Sequence, residues 1–128
     1  MINAAMTYAP SEPTIRKMTV DDFNTVYALE QMCFQEHAWH EHELYSQYHG
    51  PYAVNLVGAI AAPQFSRGHL VVGYLLAAQC SDGLLIENLG VAPAYRRRGI
   101  GSALVQCLIE TLRADKRLVV VSGRFSGQ

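Results

Sequence analysis

The stretch Val91–Leu104, VAPAYRRRGIGSAL, limits the possible folds more than any other part of the chain. An apolar run ends at Val91 and Ala92. Pro93 has no N–H to offer a sheet ladder, so a strand stops there. Arg96, Arg97 and Arg98 follow in a row, then Gly99-Ile100-Gly101, then apolar residues at helical spacing. A strand, a basic glycine turn and a helix together make a backbone suited to an anion. Glycine admits unusual dihedrals and close ligand approach. The first turn of a helix presents unpaired N–H groups at the positive end of its dipole. The expected guest is a diphosphate.

Competing readings of the same residues are weaker. A basic triplet can be a solvated charge run or a nucleic-acid patch, but the net charge of the chain is -1. A global basic field for nucleic acid is absent. The dinucleotide fingerprint fails because Leu104 stands where its third glycine belongs, and no acidic residue follows at the ribose position. A Walker A loop fails because Gly-Lys-Ser/Thr is missing.

The 128 residues fit one domain, and the half that are hydrophobic supply a core. Residues 1–13 read as a flexible lead-in and residues 14–128 as the domain. No apolar run is long enough to span a bilayer. The opening MINAAMTYAPSEP lacks a basic segment followed by an apolar core, so no signal peptide is expected. Cys33, Cys80 and Cys107 are odd in number and far apart, which fits free thiols in a reducing compartment. A cytoplasmic protein without membrane or nucleic-acid partners is expected.

Periodicity gives the order β-α-α-β-β-β-α-β: TIRKM, a helix after Thr19, a second helix from Trp39 to Gly50-Pro51, strands over YAVNLVGAIAA, LVVGYLLAAQC and LLIENLGVAP, a helix over GSALVQCLIETLRAD and a strand RLVVV. Phe23, Val26, Tyr27 and Leu29 form the apolar face of the first helix. The fold class is α+β, a mixed sheet with flanking helices.

At these residues the chain resembles the GNAT superfamily of N-acetyltransferases, the acyl-CoA N-acyltransferase fold. LGVAPAYRRRGIGSALVQCLIE, Leu89–Glu110, is similar to the superfamily's motif A, whose core Gln/Arg-x-x-Gly-x-Gly/Ala is matched by Arg96 to Gly101. Leu29, Glu30, Phe34 and Trp39 are similar to a pattern in the first helix pair of ribosomal-protein alanine N-acetyltransferases. The likeness covers roughly residues 14 to 122. It implies acetyl-CoA as co-substrate and no metal. Backbone of Leu89, Gly90 and Val91 would pair with the pantetheine. Arg96, Arg97, Arg98, Gly99, Ile100, Gly101 and Ser102 would hold the pyrophosphate. Acetyl transfer to a primary amine would be direct, with a backbone N–H near Val91 at the developing oxyanion. The acceptor would be a protein N-terminus, with a small-molecule amine as the rival. A non-catalytic acyl-CoA-binding remnant is the alternative from another class.

The amine needs a base, and Glu87 is the candidate, because strand parity puts it on the face of Leu89 and Val91. It can equally be a structural carboxylate. Relatives carry a tyrosine acid, a helix and further strands beyond the point where this chain stops, so a truncated or divergent member is expected, with the last helix and strands missing. The histidines of HAWHEHE, His37, His40 and His42, lack zinc-protease spacing and are read as acceptor-side or solvated. Tyr27, Phe34, Trp39 and Tyr45 are read as core or groove. Cys107 and Tyr74 are read as core, and Asn88 as either a backbone partner or a solvated strand residue. The chain leaves oligomeric state open.

Overall fold

The computed structural model describes residues 12–65, 67–81, 83–114 and 124–125. The elements are β1 (Thr14–Lys17), α1 (Phe23–Phe34), α2 (Glu41–His49), β2 (Ala53–Ala61), β3 (His69–Cys80), β4 (Gly83–Val91), α3 (Ile100–Ala114) and β5 (Arg124–Phe125), with single 3-10 turns at Val20–Asp22, Gln35–His37 and Pro93–Tyr95. The element order expected from periodicity is the one observed from β1 through α3. Residues 1–11 of the expected lead-in and the expected strand at Arg117–Val121 lie outside the described residues.

The strands form one sheet in the order β1-β2-β3-β4-β5. The first four run antiparallel, and β5 pairs parallel to β4 at Asn88 and Leu89. The result is an antiparallel four-stranded sheet with flanking helices.

Two features fix where α1 begins. Asp22 accepts the Thr19 N–H at 2.8 Å and a bidentate pair from Arg16 at 2.7 and 2.9 Å. Burial alone would push the Asp22 carboxyl up. The Arg16 guanidinium and the Thr19 donors outweigh it and hold the carboxyl below its ordinary range. α2 starts two residues later than expected. Trp39 and His40 stay outside the helix, with His40 extended (φ -73, ψ 162) and its N–H capped by Glu43 at 2.9 Å. Gln47 of α2 then ties to β2 and β3, donating to Asn55 Oδ1 at 2.9 Å and to the Ala77 carbonyl at 2.8 Å.

α3 lies across the opposite face of the sheet from α1. Ile100, Leu104, Leu108 and Leu112 recur every four residues and are all buried. Burying each contributes about 1.5–3 kcal/mol. The first of them seats because two strand residues lack a β-carbon. One built on Gly58 would lie 3.1 Å from Ile100 Cγ2, and one on Gly73 2.9 Å from it.

One irregularity matters for the site. Between β3 and β4 the register shifts, so that Leu76 faces Asn88 and Ala77 faces Ile86. Glu87 is the extra residue of a β-bulge. The alternation of faces is interrupted there, between Ile86 and Asn88.

Candidate functional site

The basic turn is wound tightly. Arg97 takes φ 64 and Gly99 φ 79, both left-handed. For Arg97 this is an uncommon conformation, and for Gly99 an easy one. A β-carbon on Gly99 would meet nothing within 4 Å, so open space adjoins the backbone here. Ala103 N–H donates to the Gly99 carbonyl at 2.9 Å, which is the first bond of α3. The N–H groups of Ile100, Gly101 and Ser102 therefore precede the helical ladder and have no acceptor within it. With the helix dipole behind them, they form an electropositive opening.

The three arginines part company. Arg96 is half-buried and folds back onto the strand end, with Nε donating to the Val91 carbonyl at 3.0 Å and Nη2 lying 3.8 Å from Cys33 Sγ. Cys33 itself donates to the same carbonyl at 3.4 Å. Arg97 and Arg98 are exposed, and the Arg98 guanidinium sits 5.2 Å from the Tyr95 ring centroid. The row of like charges is thus one inward staple and two outward cations.

The edge of β4 has a defined polarity. Ala92 N–H donates to the Val72 carbonyl at 2.8 Å. In an antiparallel ladder bonded and non-bonded pairs alternate, so Tyr74 and Gly90 exchange bonds, and Leu89 and Val91 turn their N–H and C=O away from β3. Of the three strand residues expected to meet a ligand, Leu89 and Val91 present backbone to that outer edge and Gly90 does not. β5 pairs there with Asn88 and Leu89, and Val91 lies two residues past Leu89 with its carbonyl taken by Arg96 and Cys33.

Glu87, at the bulge, is half-buried and has no hydrogen bond or ion pair with another described residue. A buried carboxylate stands instead on α1. Glu30 is fully buried and accepts from Tyr74 Oη at 2.6 Å, Asn88 Nδ2 at 2.8 Å and the Trp39 N–H at 2.8 Å. The sequence held a signal for it. Val26, Leu29, Glu30 and Cys33 form one helical stripe, and a glutamate within such a stripe must be hydrogen-bonded. This resolves the choice at Asn88, which is buried and bonded to a side chain. Tyr74 is buried, as read.

Tyr27, Phe34, Trp39 and Cys107 pack against the core, whereas Tyr45 is exposed beside Phe23 and His49. His40 and His42 stack at 5.8 Å. Among the described residues no group of three or more His, Cys, Asp or Glu is placed to hold a metal. Cys33, Cys80 and Cys107 are thiols outside any disulfide, and no described helix is long and apolar enough to cross a membrane. A cleft of about 530 Å³ opens elsewhere, lined by Arg16, Asp21, Asp22, Arg67 and His69 among others, and no residue of the basic turn lines it.

The pattern of the Acetyltransferase (GNAT) family matches residues 23–123. Among solved structures, the ribosomal-protein-S18-alanine N-acetyltransferase of Escherichia coli superposes with a TM-score of 0.66 at 23% identity, over 80% of this chain and 61% of that one. NAA60 of Arabidopsis thaliana, solved with a bisubstrate analogue, gives 0.66 at 16% identity over 88% and 72%. AAC(6')-Iy, solved with the bisubstrate analogue CoA-S-monomethyl-acetylneamine, gives 0.66 at 15% identity over 88% and 79%. The chain thus spans less than two thirds of the length of the E. coli enzyme. No curated protein sequence matches it. The strand, proline, left-handed basic turn and helix lie inside the matched span, and the chain belongs to the acetyltransferase (GNAT) family.

Proposed function

We propose that the chain, through one domain over residues 14–128, binds acetyl-CoA and transfers its acetyl group directly to a primary amine. The observation that carries this is the open, left-handed turn at Arg97–Gly99 feeding the N–H groups of Ile100, Gly101 and Ser102, which have no acceptor within the helix. When bound, acetyl-CoA supplies a diphosphate to this turn and a thioester whose carbonyl carbon is the electrophile. The turn's N–H groups hold the diphosphate, and Arg97 and Arg98 add charge at its rim. The extended arm is proposed to run along the outer edge of β4 at Val91, past the Leu89 position that β5 covers. The Val91 N–H donates to the carbonyl oxygen as charge builds there. Arg96 acts differently, by stapling the strand end so that this N–H keeps its direction.

Glu87 is the proposed base that takes the proton from the amine, directly or through a water. The proposed acceptor is a protein N-terminus. The E. coli neighbour acts on an alanine of a ribosomal protein by its printed name, and AAC(6')-Iy is an aminoglycoside acetyltransferase, so a small-molecule amine is the other outcome of the test. Thiols outside any disulfide suit the cytoplasm as the place of action.

Calorimetry with CoA, paired with a thiol-release assay over a panel of peptides and small amines, tests the reading. Gly99→Glu puts bulk and negative charge into the turn and is expected to weaken CoA binding by at least about tenfold. Unchanged affinity would overturn the site. Binding of CoA with no turnover on any amine would leave an acyl-CoA-binding protein in place of a transferase.

A further inference from the structure

We propose that Glu30 is a positioning residue, which fixes the segment Ala38–His40 against strand β4 and thereby sets where the amine meets the acyl donor. The inference rests on the donor placement given above.

The Glu30 carboxylate joins three separate parts of the fold. Its Oε1 accepts from Tyr74 of β3 and Asn88 of β4, and its Oε2 accepts the Trp39 N–H. Gln31, the next residue, donates from Nε2 to the Trp39 carbonyl at 3.1 Å. Both polar groups flanking Trp39 are therefore held from α1. Asn88 adjoins Leu89, the first of the two residues that turn backbone to the outer edge of β4. Three residues after Glu30, Cys33 reaches the Val91 carbonyl. One face of α1 thus grips the connection toward α2 at one point and the working half of β4 at two.

Packing does not require an acid here. A carboxylate removed from water is costly unless its lone pairs are met, and an apolar stripe continuing Val26 and Leu29, with apolar residues in place of Tyr74 and Asn88 as well, would avoid that cost. What the acid adds is two acceptor oxygens aimed in different directions, able to serve three donors on three elements. Amine and thioester must be aligned within a fraction of an ångström for fast transfer. A connection held only by side-chain packing is looser than that. The segment 38–40 is linked to Asn88 of β4 through the Glu30 carboxylate and is the part of the α1–α2 connection that Glu30 immobilises. An amine bound against it is delivered at a fixed height relative to the Val91 N–H.

Glu30→Gln tests this at nearly constant volume. The amide keeps a single acceptor oxygen, so either Trp39 or the Tyr74–Asn88 pair faces an NH2 group instead. Trp39 is the sole tryptophan of the chain, and its emission reports the segment whether or not the protein turns over. The expected result has three parts: a shifted Trp39 emission with faster Trp39 amide exchange by roughly tenfold or more, CoA affinity within about twofold of wild type, and an amine KM raised or kcat lowered by roughly tenfold. Unaltered emission and exchange would overturn the proposal. So would a variant whose melting temperature falls while amine KM and kcat stay as in wild type, because that is a purely structural carboxylate. Should Glu30→Gln fail to fold, Gln31→Ala loosens the same peptide from an exposed position and is expected to shift exchange and amine KM in the same direction. No change there would overturn the idea. A wild-type chain that acetylates no amine sinks the transferase reading alone, since emission and exchange still decide whether Glu30 holds the segment.

Discussion

The Tyr74 ring occupies the space that a side chain on Gly90 would need. A β-carbon at Gly90 would lie 2.8 Å from Tyr74 Cε1, 2.8 Å from Oη and 2.9 Å from Cζ. The ring cannot swing aside cheaply, because it is fully buried and its hydroxyl is held by Glu30. The glycine is therefore a steric requirement of the strand that carries the site.

Gly90→Ala is expected to destabilise the protein by about 1–3 kcal/mol through overpacking. Urea unfolding at neutral pH measures it. Tyr74→Phe in the same background is expected to give little relief, since Cε1 and Cζ still clash although Oη and its tether are gone, whereas Tyr74→Leu is expected to recover more of the loss. Equal stability of wild type and Gly90→Ala would contradict the packing described.

The three arginines should separate by experiment as they do in space. Arg97→Ala and Arg98→Ala remove exposed cations. Each is expected to weaken CoA binding by about three- to tenfold at low salt, less at high salt, with the melting temperature unchanged. Arg96→Ala removes a half-buried donor to the Val91 carbonyl. It is expected to cost about 1 kcal/mol of stability at any salt concentration. Calorimetry and thermal melts at two ionic strengths distinguish the two behaviours, and uniform effects across the three positions would count against the division.

How far these features were legible from the sequence depends on how local their causes are. The stop at Pro93, the turn at Gly99 and the three- and four-residue recurrence of Ala103, Leu104, Cys107, Leu108 and Leu112 are set by neighbours in the chain, and their placement was expected; that Ile100 joins the buried row was not. The late start of α2 was not, because the Trp39 N–H goes to Glu30, nine residues away. The role of Glu30 depends on donors 44 and 58 positions on, which no local pattern encodes. The bulge at Glu87 was not legible for the same reason. A bulge exists only once β3 has chosen its register on β4. Arg96 matched a motif for binding a pyrophosphate, yet its guanidinium turns to a carbonyl that only the folded strand end presents.

Glu87→Gln addresses the proposed base. The variant keeps the bulge and the size of the side chain while removing the group that takes up a proton. CoA affinity is expected to stay within about twofold, and kcat to fall by roughly 100-fold, within the range usual for a general base. The acid limb of the kcat profile against pH is expected to flatten. A variant with full activity and the wild-type profile would remove Glu87 from the mechanism and turn attention to water or another group near Val91.

The Arg16–Asp22 pair makes a prediction about acid stability that is independent of activity. The Asp22 carboxyl is pushed up by burial and pulled further down by Arg16 and Thr19, so its folded value lies below its ordinary one, and Arg16 is raised by the same hydrogen-bonded pairing. A lowered folded value means that the unfolded chain takes up this proton first as pH falls. The stabilisation is therefore complete above the ordinary aspartate range near about 3.9. It drains away as pH falls from there through the lower folded value. With Arg16 partly exposed, the pair and the cap at Thr19 are worth together about 1–2 kcal/mol at neutral pH. Urea midpoints taken from pH 7 downward should show wild type more stable than Asp22→Asn by that amount at the start. The two curves should converge below the folded value of Asp22. Parallel curves through the acid range would mean that Asp22 is held by packing and not by its charge.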